Sequence, residues 1–340
     1  MHHHIVENIR GPLIQQKTFA VYDSKSTAVS LSELSVQLLD EQRRTWPQLA
    51  AGYSSLSSVC VREVCCRGYS AWLQFNPGRI VSTSAKLDER SIRERRCFLC
   101  VEHLPPLQKG ILYKDEFLML CNPAPIFAEH FTISHVRHMP QMLSSGVRTF
   151  LDLARDLKPR LTVFYNGPKC GASAPDHMHF QASPTDTIPV EKAAREKGRR
   201  VHRQVVRGVE ILTLANFGRE VVVLESRDED ALETVLLDLV DALQEVTGSA
   251  EEPMMNVVCS FGEVAWRVIL FPRSKHRQDA YFKEGEEKVL VSPAAVDIGG
   301  LIITPVEKDF NRIRPEFVES MFQEVTLPGA TVNAALARLS

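Results

Sequence analysis

The segment Tyr165 to Ser183, YNGPKCGASAPDHMHFQAS, holds two histidines one residue apart, a glutamine two further on, and small residues just before them. In an extended strand residues i and i+2 share a face, so His177, His179 and Gln181 project together at intervals of about 7 Å. An imidazole is neutral and nucleophilic near neutral pH, which suits attack on phosphorus. Phosphoryl and nucleotidyl transfer need little beyond such a nucleophile, oriented donors and a way to neutralise oxygens. The stretch Gly167 to Ser173 can offer backbone N–H groups and a hydroxyl to those oxygens. The same residues also fit an edge strand carrying two hydrated histidines, so the surroundings must decide.

A second constellation lies upstream. In RRCFLC, Cys97 and Cys100 have the spacing that lets two thiolates from one turn bind one Zn²⁺. The redox reading is weaker, because no strand-to-helix context follows as a thioredoxin-type motif needs. A tetrahedral site requires two more ligands, and His130, His135, His138 and His177 are the candidates. Such a site would tie the N-terminal segment to the histidine-bearing strand.

These groups need elements to hold them. Residues 27–50 have helical spacing of Leu and Val with SLSE as a capping box. SVCVREVCC and SAWLQFN read as strands, the second broken by Asn76-Pro77-Gly78. GILYKDEFLMLCNPAPIF and HFTISHV read as two strands joined by a proline-containing turn. MLSSGVRTFLDLARDLKPR reads as an amphipathic helix ending near Pro159, and LTVFYNG as the strand entering the histidine segment. The charged stretch VEKAAREKGRR reads as helical, a boundary or insertion near 185–205. Beyond it EVVVLES, DALETVLLDLVDALQEVTG, MNVVCSF and AWRVILFPR repeat the theme of strand, helix and two strands, a weak internal duplication.

With 340 residues, 44% hydrophobic and 24% charged, the chain has room for two domains of ordinary size. A net charge of -2 provides no basic field for nucleic acid, and no apolar run is long enough to span a bilayer. Met-His-His-His does not begin an export signal, and a frayed terminus is expected there. The eight cysteines are therefore read as reduced thiols and metal ligands, which places the protein in the cytoplasm.

Taken together, CFLC, ISHVRHMPQ and YNGPKCGASAPDHMHFQ resemble the galactose-1-phosphate uridylyltransferase branch of the histidine-triad (HIT) superfamily. FNPGRIVSTSAKLD resembles its N-terminal Asn-Pro segment; WRVILFPRSKH and GGLIITPVEKDF resemble its second half. Within the branch the look is closest to nucleotide-sugar phosphorylases of the GDP-hexose type and to diadenosine tetraphosphate phosphorylases. The resemblance implies an α+β fold of two HIT-like halves, with antiparallel sheets packed by helices. It divides the chain into an extension over 1–69, a catalytic half with the zinc site over 70–200, a degenerate half over 201–330 and a tail over 331–340.

The resemblance makes His179 the nucleophile of a nucleotidyl-histidine and gives structural Zn²⁺ the ligands Cys97, Cys100, His177 and His138, the last preferred over His135 and His130. His130 matches instead a histidine that begins a strand in HIT proteins, with a structural role. Gln181 stands where HIT hydrolases carry a third histidine; an amide donates a hydrogen bond but is a poor acid or base, which favours transfer over hydrolysis. Asn166, Gly171 and Ser173 correspond to the phosphate loop, although Pro175 and Asp176 shift the spacing by about one residue. Arg79 and Lys86 match basic positions near substrate phosphates loosely, and Arg273 and Lys275 belong to a basic run that could face an anionic acceptor. The implied enzyme is a nucleotidyltransferase taking a nucleotide-sugar with phosphate or hexose 1-phosphate as acceptor, with no nucleic-acid or membrane partner, as monomer or homodimer. A diadenosine polyphosphate phosphorylase and a zinc-stabilised non-enzymatic nucleotide-binding protein are the alternatives.

Overall fold

Ser30 caps helix α1 (Leu31–Thr45): its side chain accepts from Glu33 N while Glu33 returns to the Ser30 N–H, the capping box expected from SLSE. Leu31, Leu34, Leu38 and Leu39 recur at helical spacing and are buried, so one stripe of α1 faces the core. The computed structural model describes residues 11–25, 28–84 and 88–339. The first four residues, Met-His-His-His, and Lys86 lie outside the described residues.

Among the described residues the strands are β1 (Thr18–Tyr22), β2 (Cys60–Cys66), β3 (Tyr69–Phe75), β4 (Gly110–Tyr113), β5 (Phe117–Cys121), β6 (Phe131–His135) and β7 (Leu161–Asn166). They continue as β8 (His179–Pro184), β9 (Arg200–Val206), β10 (Val209–Leu214), β11 (Val222–Ser226), β12 (Met255–Phe261), β13 (Trp266–Pro272) and β14 (Leu301–Thr304). Eleven of them form one sheet in the order β1-β4-β5-β6-β8-β7-β12-β13-β11-β10-β9, and β14-β3-β2 form a second. The order reads almost the same from either end. β4, β5, β6, helix α2 (Val147–Asp156), β7 and β8 on one side answer β9, β10, β11, helix α3 (Glu229–Thr247), β12 and β13 on the other. The duplication is therefore one of topology, and the halves share a single sheet through the antiparallel β7–β12 pair.

Alternation along the strands fills two cores. Val257 and Leu270 join α1, α2 and α3 on one face, while Val258 and Phe271 join β2, β3, β14 and helix α4 (Pro315–Val325) on the other. Residues at the chain end also pack: helix α5 (Gly329–Leu336) buries Val332, Ala335 and Leu336 in the first core.

Two sequence expectations need correction. GILYKDEFLMLC is two strands, because Lys114 and Asp115 take left-handed backbone (φ 49° and 57°) and turn β4 into β5. VEKAAREKGRR is helical only over Pro189–Ala193; β9 begins at Arg200 and pairs with β10 through the two-residue turn Arg207-Gly208. Residues 194–199 between the helix and β9 form turns, and β9 itself lies at the sheet edge.

Candidate active site and metal centre

Phe180 sets the facing of β8. Its ring packs against Phe117, Phe150 and Tyr165 at centroid distances of 5.9, 5.1 and 6.2 Å on the helix-covered face. By alternation His179 and Gln181 point to the other face, where they line a cavity of about 320 Å³. Asn166, Gly171 and Ser173 line the same cavity, so the structure brings the expected phosphate loop and histidine strand together. Gly171 has φ +91°, and a Cβ there would meet the Ala294 Cβ at 2.5 Å, so the loop can pass only with glycine.

His179 is 4% exposed, and burial pushes its imidazole pKa down, which keeps the ring neutral. Its Nδ1 lies 2.8 Å from the His177 carbonyl, an acceptor, so Nδ1 carries the proton and Nε2 keeps the lone pair. Gln141 holds the strand that carries it. The Gln141 Oε1 accepts the His179 N–H at 2.7 Å, and Nε2 donates to the carbonyls of His179 (2.9 Å) and Asn166 (3.0 Å). Gln181 is oriented by His130. Ile126 N–H donates to His130 Nδ1 at 3.2 Å, which leaves Nε2–H to donate to Gln181 Oε1 at 3.0 Å. Burial, followed by the nearby Arg79, lowers His130 to about 3, so this tautomer stays neutral. With its carbonyl taken, Gln181 presents its NH₂ group to the cavity.

Arg79 also lines the cavity and donates from Nη1 to the Ala124 carbonyl at 2.7 Å. Arg273 and Lys275 do not line it. The Arg273 guanidinium is 2% exposed and donates to Val325 O, Asn256 Oδ1, Pro293 O, Lys275 O and His276 O. Lys275 pairs with Asp279 and Glu324. The basic run thus serves the fold, because a β-strand end feeds Arg273 inward where only carbonyls and an amide meet it.

The cavity wall also contains residues without an assignment from sequence: Phe98, Gln108, Asn122, Ser292 and Asp297. Phe98 sits inside the CxxC and was visible there; Asp297 comes from the second half and carries no local signal. Its carboxylate accepts from Ala294 N (2.9 Å) and Ile303 N (2.8 Å), and burial raises its pKa to about 6.

Next to the cavity, Cys97, Cys100, His138 and His177 place their ligand atoms within 4.8 Å of one another. Cys97 Sγ is 3.3 Å from His177 Nδ1, and Cys100 Sγ is 3.2 Å from His138 Nδ1 and 3.6 Å from His177 Nδ1. A tetrahedral Zn²⁺ with ordinary bond lengths separates its ligands by roughly 3.3–3.8 Å, so the donor set fits the ion. The tautomer fits too: His177 Nε2 is 2.7 Å from the His135 carbonyl and donates to it, which turns the Nδ1 lone pair to the thiols. His135 Nδ1 accepts from Arg137 N at 3.0 Å and His130 is bound to Gln181, so neither joins the cluster.

Two family models divide the chain. Residues 38–184 match a domain of unknown function (DUF4922), and residues 189–335 match a GDPGP1-like, C-terminal domain. No curated protein matches the sequence at a significant level. Among solved structures, yeast Ap4A phosphorylase Apa2 in complex with Ap4A is 16% identical, with a TM-score of 0.55 over 86% of this chain and 98% of that one. The AMP complex of the same enzyme gives 17% identity and a TM-score of 0.54 over 86% and 97%. At that identity the likeness is one of fold: the chain shares the mixed α+β architecture of the yeast enzyme.

Proposed function

We propose that the protein is a nucleotidyltransferase of the phosphorylase type, acting on a GDP-hexose-like nucleotide-sugar through a covalent nucleotidyl-histidine at His179. The observation that carries this reading is the open Nε2 of His179 on a cavity that also receives the Gln181 amide and the loop residues Asn166, Gly171 and Ser173. The Nε2 lone pair attacks the α-phosphorus, a P–N bond forms, and the P–O bond to the β-phosphate breaks, releasing hexose 1-phosphate. The ring then carries positive charge, and the His177 carbonyl already accepts its Nδ1–H. An oxygen of inorganic phosphate attacks the same phosphorus, the P–N bond breaks, and a nucleoside diphosphate leaves. Asn166, Gln181, Ser173 and Arg79 line the wall where the phosphoryl oxygens would gather charge. Gln181 can donate but cannot activate water, which favours phosphate or hexose 1-phosphate as the acceptor.

Cys97, Cys100, His138 and His177 would hold a structural Zn²⁺, which when bound fills all its positions with protein ligands and fixes the strand leading into His179. A diadenosine polyphosphate phosphorylase is the second reading, favoured by the fold likeness over nearly the whole length of the yeast enzyme. Incubation with GDP-mannose, UDP-glucose, ADP-glucose or Ap4A labelled at the α-phosphorus separates the two by which one leaves acid-labile label on the protein. His179→Asn should abolish the label while the protein stays folded; a variant that still turns over excludes His179 as nucleophile.

A further inference from the structure

The amide of Asn166 has a fixed direction. Its Oδ1 accepts from Ala295 N and from Asn256 Nδ2, both at 2.8 Å. A backbone N–H can only donate, so the atom facing Ala295 must be the oxygen. Asn256 is fixed in the same way. Its Nδ2 also donates to Cys170 O at 2.7 Å, a group that only accepts, and its Oδ1 receives Nη1 of Arg273, a group that only donates. Hydrogen bonds therefore run one way, from Arg273 through Asn256 to Asn166. Asn166 is 4% exposed and lines the cavity, and with its oxygen held it turns its NH₂ inward to the cavity.

The chain of bonds crosses the seam between the halves. Asn256 stands opposite Asn166 in the β12–β7 pair, and Arg273 follows β13. All the guanidinium acceptors are neutral oxygens, and among the described residues no carboxylate pairs with it. A fully buried cation whose hydrogen bonds all go to neutral oxygens, with Asp297 acting on it only from beyond hydrogen-bond contact, is costly unless something rewards it. A polyanionic substrate beside Asn166 does so, because bonds in series polarise one another toward the phosphate. We propose that Asn256, held by Arg273, is a positioning residue of the second half that aims the Asn166 N–H groups at the transferred phosphoryl group. The idea rests on the nucleotidyl transfer proposed above.

Asn256→Asp keeps shape but sets a carboxylate oxygen against Asn166 Oδ1, so the Asn166 amide is caught between that oxygen and the Ala295 N–H and loses its fixed direction. The labelling rate of His179 should fall about 10–100-fold, the worth of one hydrogen bond to a charged group, and the dissociation constant for inorganic pyrophosphate should rise with it, because the Asn166 N–H groups are no longer aimed at the phosphates. The decisive readout is a double-mutant cycle with Asn166→Ala. Asn256→Asp should add nothing once Asn166 is gone, whereas a purely structural role makes the two losses multiply. Arg273→Lys, which keeps charge but loses the fork, should show the same non-additivity more weakly. The cycle is also read as the dissociation constant for inorganic pyrophosphate, which needs no turnover. If wild-type protein is never labelled, the transfer reading falls, and the pyrophosphate cycle still decides the role of Asn256. Multiplicative losses in either cycle overturn the inference.

Discussion

Replacing Gln141 by leucine keeps the bulk of a side chain that is 2% exposed but removes all three of its hydrogen bonds. The His179 N–H then has no acceptor, and the carbonyls of His179 and Asn166 each lose a donor at buried positions. An orphaned buried polar group costs about 1–3 kcal/mol, less for a carbonyl that keeps a second partner, so the variant should lose about 3–6 kcal/mol of stability. A loss of that size is large against ordinary surface substitutions, which stay within about 0.5 kcal/mol. Activity should fall as well, because the strand end that sets His179 against Asn166 is no longer clamped. Urea unfolding followed by tryptophan fluorescence measures the first effect, and α-phosphorus labelling at a temperature where the variant is folded measures the second. Gln141→Glu adds a control: it retains an acceptor for the His179 N–H but cannot donate to both carbonyls. A Gln141→Leu protein within 1 kcal/mol of wild type, a bound set as about one ordinary hydrogen bond, would refute the clamp.

Other outcomes follow from the same geometry. Purified protein should carry one zinc per chain by elemental analysis, and a chelator should lower the melting temperature together with the labelling rate; metal-free protein of unchanged stability argues against the Cys97, Cys100, His138 and His177 site. His130→Phe removes the donor to Gln181 Oε1 and frees that amide to turn, so labelling should slow about 10-fold or more while nucleotide affinity changes little. Asp297 has its pKa raised to about 6 by burial, so its contribution to stability is complete below about pH 4 and is lost as pH rises through 6. Relative to Asp297→Asn, wild type should therefore lose up to about 3 kcal/mol between pH 4 and 7, with Arg79 and Arg273 the nearby charges; a flat difference would falsify the burial argument.

The local sequence carried what local chemistry requires. Cys97-x-x-Cys100 places two thiols on one turn whatever the rest of the fold does, and His-x-His-x-Gln on a strand must share a face. The capping box at Ser30 and the strand periods likewise depend on neighbours in the chain, and the structure retains them. The alternating face of β8 was legible, but which face met the cavity was not; that was decided by Phe180 meeting Phe150 from α2. The helix expected at VEKAAREKGRR is present only up to Ala193, and the charged residues after it lie in the turns that lead to β9.

Non-local contacts decided the remainder. Arg273 looked like a solvent-facing or substrate-facing cation, yet the end of β13 buries it among carbonyls. His138 joined the thiols because β6 ends beside the CxxC turn, while His130 and His135, close to it in sequence, were claimed by Gln181 and by Arg137 N. Asp297 and Asn256 carry no motif, and they reach the cavity and the loop that follows Asn166 through the second half, which joins the first where β7 pairs with β12. Residue types and spacing determined that phosphorus and metal chemistry are available to this chain. The His179 tautomer follows from the His177 carbonyl two residues away, whereas only the tertiary structure decided how the Gln181 and Asn166 amides point and where Arg273 is buried, because each is held by a partner far away in sequence.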